Sequence, residues 1–119
     1  MLRGIRGAVC AETNSREGVL EATKTLLKLM LESNEVDSEK IASIFLTASP
    51  DLTADYPAYG ARLLGLTQVP LLCATEIAVP GAMPRVIRAL IHFETDKKQS
   101  EIRHIYHGEA ARLRPDLAE

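Results

Sequence analysis

Apolar positions recur along this chain with two periods, one near 2 and one near 3.6, and the changes of period divide it into elements. From Leu2 to Ala11 apolar side chains mix with Gly4 and Gly7, too glycine-rich for a helix and suited to a strand whose backbone is approached closely. Asn14 with Glu17 three residues later is a helix-start pattern. Val19, Leu20, Thr23, Leu26, Leu27, Met30 and Leu31 then repeat at helical spacing to about Ser33, with Glu21, Lys24, Lys28 and Glu32 on the wet face. Ile41 to Thr47 is a short apolar run that reads as a buried strand. Pro57 pushes Tyr56 away from helical angles and itself suits a first helical position, so a second, short helix is expected to end near Gly65. Val69 to Val79 reads as a third strand, Pro80 to Pro84 as a turn, and Arg85 to Glu94 as a fourth strand paired antiparallel with the third. Beyond Asp96 the chain turns polar and irregular. The order β-α-β-α-β-β predicts an α+β fold: a mixed β-sheet with helices packed on one face, the other face left to be buried by another subunit.

Length and charge narrow this picture. A chain of 119 residues fits one domain spanning 1–119, with a core modest enough that oligomerisation is a natural source of extra burial. A formal net charge of -2 offers no basic footprint, which argues against nucleic acid and an anionic membrane surface as partners. No apolar run approaches the length of a membrane span, and Glu12 interrupts the apolar start before a signal region can form. Cys10 and Cys73 stand far apart with no CxxC or Cys/His cluster, which fits a reducing cytoplasm and predicts no metal.

The candidate chemistry lies in arginines set in apolar or locally structured surroundings: Arg6, Arg88, Arg103 and Arg114. A guanidinium cannot shed its charge, so one beside a hydrophobic core needs an anion facing it. Alternation along the fourth strand groups Val86, Arg88, Leu90 and His92 on one face and Arg85, Ile87, Ala89, Ile91 and Phe93 on the other. Glu76 interrupts the third strand in a similar way. It could neutralise Arg88 or accept a hydrogen bond from a ligand hydroxyl, and the two uses are compatible. Strict alternation sets Cys73 and Glu76 on opposite faces, so a joint role needs a bulge or a strand ending before Glu76. There is no GxSxG, phosphate loop or HExxH, and His92, His104 and His107 have no partner motif. Charge placement and shape remain, which suit a reaction that needs only orientation and fixed donors for developing negative charge, or the binding of a small polycarboxylate.

Several runs taken together resemble one family from end to end: Arg3-Gly4-Ile5-Arg6-Gly7-Ala8, Pro50-Asp51-Leu52, Val69-Pro70, Cys73 to Glu76, Val86-Ile87-Arg88, Thr95-Asp96, Ile102 to Tyr106 and Leu113-Arg114-Pro115-Asp116-Leu117. The chain resembles the chorismate mutases of the Bacillus (AroH) type. That resemblance implies a homotrimer resembling an α/β barrel, with sites between subunits, converting chorismate to prephenate without a cofactor. It implies that Arg88 donates to the ether oxygen, that Arg6 with Tyr106 holds the enolpyruvyl carboxylate, and that Glu76 and the backbone or thiol of Cys73 engage the ring hydroxyl. Tyr56 would form an aromatic wall, with Ala58, Leu71 and Leu72 lining the pocket from the neighbouring chain. Arg62 and Arg114 would lie at its mouth near the ring carboxylate, with Leu113 helping the tail close it. Tyr59 and Leu72 depart from the lysine and threonine that relatives can carry. The competing expectations are a non-catalytic trimeric carboxylate-binding protein and an imine or enamine deaminase-like trimer.

Overall fold

The computed structural model describes residues 1–116. Among them, five strands form one sheet: β1 (Leu2–Cys10), β2 (Ile41–Ala48), β3 (Leu71–Thr75), β4 (Val86–Glu94) and β5 (Ile105–Tyr106), in the spatial order β3-β2-β4-β1-β5. The sheet is mixed, as expected. β4 runs antiparallel to both β1 and β2, while β3 pairs parallel with β2 and β5 parallel with β1.

Helix α1 (Arg16–Ser33) starts one residue later than Asn14 would have set it: Ser15 is the cap, its hydroxyl accepting from Gly18 N–H at 2.9 Å. Asn14 instead accepts from the backbone N–H groups of Thr53 and Ala54, tying the loop after β2 to the helix entrance. Val19, Leu20, Thr23, Leu26, Leu27 and Met30 are buried, the stripe predicted from spacing. A Cβ on Gly7 would crowd Met30 Sδ and Leu26 Cδ1, so any larger residue there would make these α1 side chains shift. The same closeness holds where α2 (Pro57–Leu63) meets α1, since a Cβ on Gly60 would meet Thr23 Cβ at 2.8 Å.

Three expectations about the strands need correction. The third strand does not span Val69 to Val79; it stops at Thr75, and Ile77 and Val79 stand 86% and 59% exposed outside the ladder. It pairs parallel with β2 rather than antiparallel with β4, because α2 carries the chain across the sheet in a βαβ crossover and so returns it in the same direction. β4 takes the central place between β1 and β2, and it begins at Val86 because Arg85 sits at φ 53, outside extended geometry. Nor is the chain irregular throughout beyond Asp96, since β5 and the turns Gln99–Glu101 and Gly108–Leu113 are ordered there.

Both helices contribute to one core on one face of the sheet, with Ile5, Val9, Ile44, Leu46, Ile87, Ala89, Ile91 and Phe93 beneath them. The alternation predicted for β4 holds, since Ile87, Ala89, Ile91 and Phe93 are buried in that core while Arg88, Leu90 and His92 are only half-buried on the opposite face. Phe45 of β2 and Leu72 of β3 share that open face and are 45% and 61% exposed. No helix among the described residues is long and apolar enough to cross a membrane.

Candidate functional site

The strand registers align Tyr106, Ala8, Arg88 and Thr47 in a row across β5, β1, β4 and β2, on the face the helices leave open. The Gly108–Leu113 turn folds over one end of this row and buries Ala8 with Tyr106 and Ala110, against which Leu113 packs. Leu113 thereby reaches the groove that also contains Arg88 and Glu76, a space of about 410 Å³ lined too by residues of the loop between β3 and β4, among them Ile77, Val79 and Met83.

Glu76 arrives from the end of β3. Its backbone N–H donates to Ala48 C=O at 3.0 Å, one step beyond the last β3 pair, and its side chain lies on the same face as Thr47. Arg88 Nε approaches Glu76 Oε1 at 3.2 Å and Oε2 at 3.1 Å, and Thr47 Oγ1 donates to Oε2. The ion pair anticipated between Arg88 and Glu76 therefore exists, but it engages the guanidinium by one edge. Among the described residues no hydrogen bond uses the terminal Nη groups of Arg88, whose side chain is 43% exposed. A native carboxylate thus holds the arginine through Nε and takes neither of its Nη groups.

A second cationic cluster lies beside β5. Arg6, on the exposed side of β1, donates its backbone N–H to His104 Nδ1 at 2.9 Å, in a position where the short β5 ladder offers no carbonyl. Burial lowers the His104 pKa, and the nearby guanidiniums of Arg6 and Arg114 lower it further. Arg114 forms a two-pronged pair with Asp116, Nε to Oδ1 at 3.1 Å and Nη2 to Oδ2 at 2.8 Å. The hydrogen bond from Arg114 holds the Asp116 carboxyl below its usual range, and Arg6 adds to the effect. Arg103, by contrast, is exposed and works through its backbone, whose N–H and C=O are both bound by the buried Asn34 amide. Leu117 of the terminal motif lies outside the described residues.

The remaining candidates form a separate group at the β3 end. Tyr56 packs edge-on against Tyr59 with ring centroids 5.8 Å apart, and the Arg62 guanidinium lies 5.2 Å from the Tyr59 ring centre. Leu72 points to the open face. Leu71, Ala58 and Cys73 pack against the helix-side core. Cys73 and Glu76 thus keep the opposite faces that alternation predicted even though the strand ends before Glu76, and the Cys73 thiol is turned away from Arg88. Burial pushes that thiol's pKa up, which suits a packed side chain and not a nucleophile. Within one chain, then, Arg88, Glu76 and Leu113 share a groove, Arg6, Tyr106 and Arg114 lie around the adjoining β5 edge, and Tyr56, Ala58, Arg62, Leu71, Leu72 and Cys73 lie apart from both.

A larger cavity of about 780 Å³ between β1 and α1 is lined by Glu12, Glu17, Glu21 and Glu109 against Arg85, the wrong sign for a polycarboxylate. Among the described residues no three His, Cys, Asp or Glu side chains converge as a metal ion requires. One contributor was invisible in the sequence. Thr47 reads there as an ordinary β-former, and its parity with Arg88 emerges only from the register between β2 and β4. Asp51, which the sequence offered only within the run Pro50-Asp51-Leu52, lines the groove, its carboxyl held below the usual range by the Ser49 hydroxyl and by the backbone N–H of Arg85 in the tight loop after β2.

Residues 2–117 match the family described as chorismate mutase type I. The chain is 49% identical to "Chorismate mutase AroH" of Thermus thermophilus, covering 98% of this chain and 97% of that protein. It is 40% identical to the protein of the same name from Bacillus subtilis (strain 168), covering 99% and 94%. Among solved structures, a chorismate mutase from Clostridium thermocellum superposes with a TM-score of 0.91 at 39% identity, covering 93% of this chain and 99% of that one.

Proposed function

The chain belongs to the type I chorismate mutase family and is a chorismate mutase, an isomerase of aromatic amino-acid biosynthesis; from this premise we propose how its residues carry out the reaction. Chorismate bears two carboxylates and rearranges to prephenate in one unimolecular step. An ether carbon–oxygen bond breaks as a carbon–carbon bond forms, and negative charge grows on the ether oxygen. No base, nucleophile or cofactor is needed. The enzyme must hold a compact conformer and meet that charge.

The observation that carries the proposal is the one-edged pairing of Arg88 with Glu76. Arg88 lines the groove, and its Nη donors serve the ether oxygen, while Glu76 fixes the guanidinium and accepts from the ring hydroxyl. Arg6 and Tyr106 bind the enolpyruvyl carboxylate. Arg114, once released from Asp116, serves the ring carboxylate at the mouth, and Leu113 closes over it. The group at the β3 end completes the pocket from a neighbouring chain, with Tyr56 as the wall, Ala58, Leu71 and Leu72 as lining, Arg62 as a second mouth cation, and the backbone of Cys73 near the ring hydroxyl. This requires a homotrimer in which the open sheet faces meet in a barrel-like assembly, and the half-exposed Phe45 and Leu72 supply apolar surface for it. One domain and a cytoplasmic location complete the proposal.

Magnitudes distribute the work. An acceleration of about 10⁶ requires roughly 8 kcal/mol. One fixed donor in a water-poor site supplies about 3 to 4 kcal/mol. Arg88 is therefore the largest single contributor, and restriction of the substrate's conformers must provide much of the rest.

The test combines a spectrophotometric assay of chorismate loss and prephenate formation with a mass measurement in solution. Turnover by a species of three chains is expected. Tight binding of a bicyclic transition-state mimic without turnover would instead identify a carboxylate-binding protein.

A further inference from the structure

We infer that Thr47 is a positioning residue for this reaction, its hydroxyl holding the Glu76 carboxylate so that Arg88 is engaged through Nε alone. The inference rests on the roles of Arg88 and Glu76 proposed above. A carboxylate beside a guanidinium prefers the parallel fork, one oxygen on each of two nitrogens, because two aligned charge-assisted bonds are stronger than one shared donor. That arrangement is not what the site contains. Both oxygens of Glu76 approach the same Nε, at 3.2 and 3.1 Å, and Oε2 also receives the hydroxyl of Thr47.

Thr47 is well placed to impose this geometry. It lies directly across from Arg88 in the β2–β4 register and beside Ala74 in the β2–β3 register, on the face from which Glu76 reaches in. A β-branched side chain in a strand has little χ1 freedom, so its hydroxyl is a fixed donor. Glu76 has no such restraint of its own, since it follows the last residue of β3 and is anchored by one backbone bond to Ala48. With the hydroxyl gone, nothing stops the carboxylate from turning to take Nε and one Nη together. That would consume a donor the breaking ether oxygen needs.

Steady-state kinetics of the assembled enzyme test this. Thr47→Val and Thr47→Ala are each expected to lower kcat about tenfold, the scale of one hydrogen bond to a charged group, with KM held within about twofold. Thr47→Ser, which keeps the donor, is expected to restore most of the rate. In a Glu76→Gln background, where the anionic fork cannot form, removal of the hydroxyl is expected to cost less than about twofold, a coupling read from the double-mutant cycle. The inference is overturned if the Thr47 variants turn over like the parent, if serine does not rescue, or if the loss is as large without the Glu76 carboxylate. Full activity in Arg88→Ala would instead remove the reading on which it rests.

Discussion

The two faces of the sheet both carry large apolar side chains and behave differently. Beneath α1 and α2, Ile44, Leu46, Ile87 and Ile91 are wholly buried. On the other face Phe45, Leu72, Leu90 and His92 keep substantial exposure, and among them stand Arg88, Glu76 and Thr47. Neighbouring positions of one strand, Phe45 and Leu46, thus have opposite fates: one is 45% exposed, the other 0%. The covered face holds the protomer together, and the open face is unfinished surface that acquires meaning only when something lies against it. The proposed catalytic charge stands on that second face, where a substrate could reach it; a guanidinium embedded in a finished core would offer no such path.

The sharpest way to separate the faces is to truncate each. Leu46→Ala is expected to cost about 2 to 5 kcal/mol of stability, the range for a leucine removed from a filled core, and a denaturant melt of the purified protein checks it. Phe45→Glu, one residue away, is expected to change protomer stability by about 0.5 kcal/mol or less while shifting the mass in solution toward a single chain and abolishing turnover. Equal destabilisation by the two would erase the distinction.

Within the open face, Arg114→Ala is expected to raise KM about tenfold with little change in kcat, because a mouth cation contributes to binding rather than to the transition state. A fall in kcat instead would move Arg114 to the chemical centre.

The smallest expected effect concerns His104. Its neutral imidazole accepts the Arg6 N–H, and its pKa lies below the ordinary 6.5. In the window below 6.5 the unfolded chain therefore binds the proton while the native one does not, so the stabilisation is complete above that pH and is lost as pH falls through the native value. The thermal midpoint should fall on acidification, and His104→Asn, which keeps an acceptor but cannot titrate, should flatten that slope.

Much of this arrangement could be read from the sequence where physics is local. The helical stripe from Val19 to Met30 and the alternation from Val86 to Phe93 are long enough to be unambiguous, and both recur in the structure. Arg88 and Glu76 announced themselves as charges interrupting apolar strands. The errors arose where a distant partner decides. Ile77 and Val79 look like strand residues, yet among the described residues their apolar side chains stay largely exposed. The Pro80–Pro84 turn suggested a hairpin, but β4 is drawn between β1 and β2, a choice made by the whole sheet. A strand of two residues such as β5 has no periodicity to detect and exists through its pairing with Gly7 and Ala8. Thr47 escaped notice for the same reason, since its importance lies in what stands across from it.

The central claim is that the forked donors of Arg88, left open by a one-edged pairing with Glu76, stabilise the transition state and not the bound substrate. Measuring kcat and KM for Arg88→Lys in the assembled enzyme tests it most directly. Loss of a fixed donor predicts a fall in kcat of about 10² to 10³, with KM within about threefold of the parent. A lysine variant that retained kcat, or that lost activity only through KM, would contradict the claim.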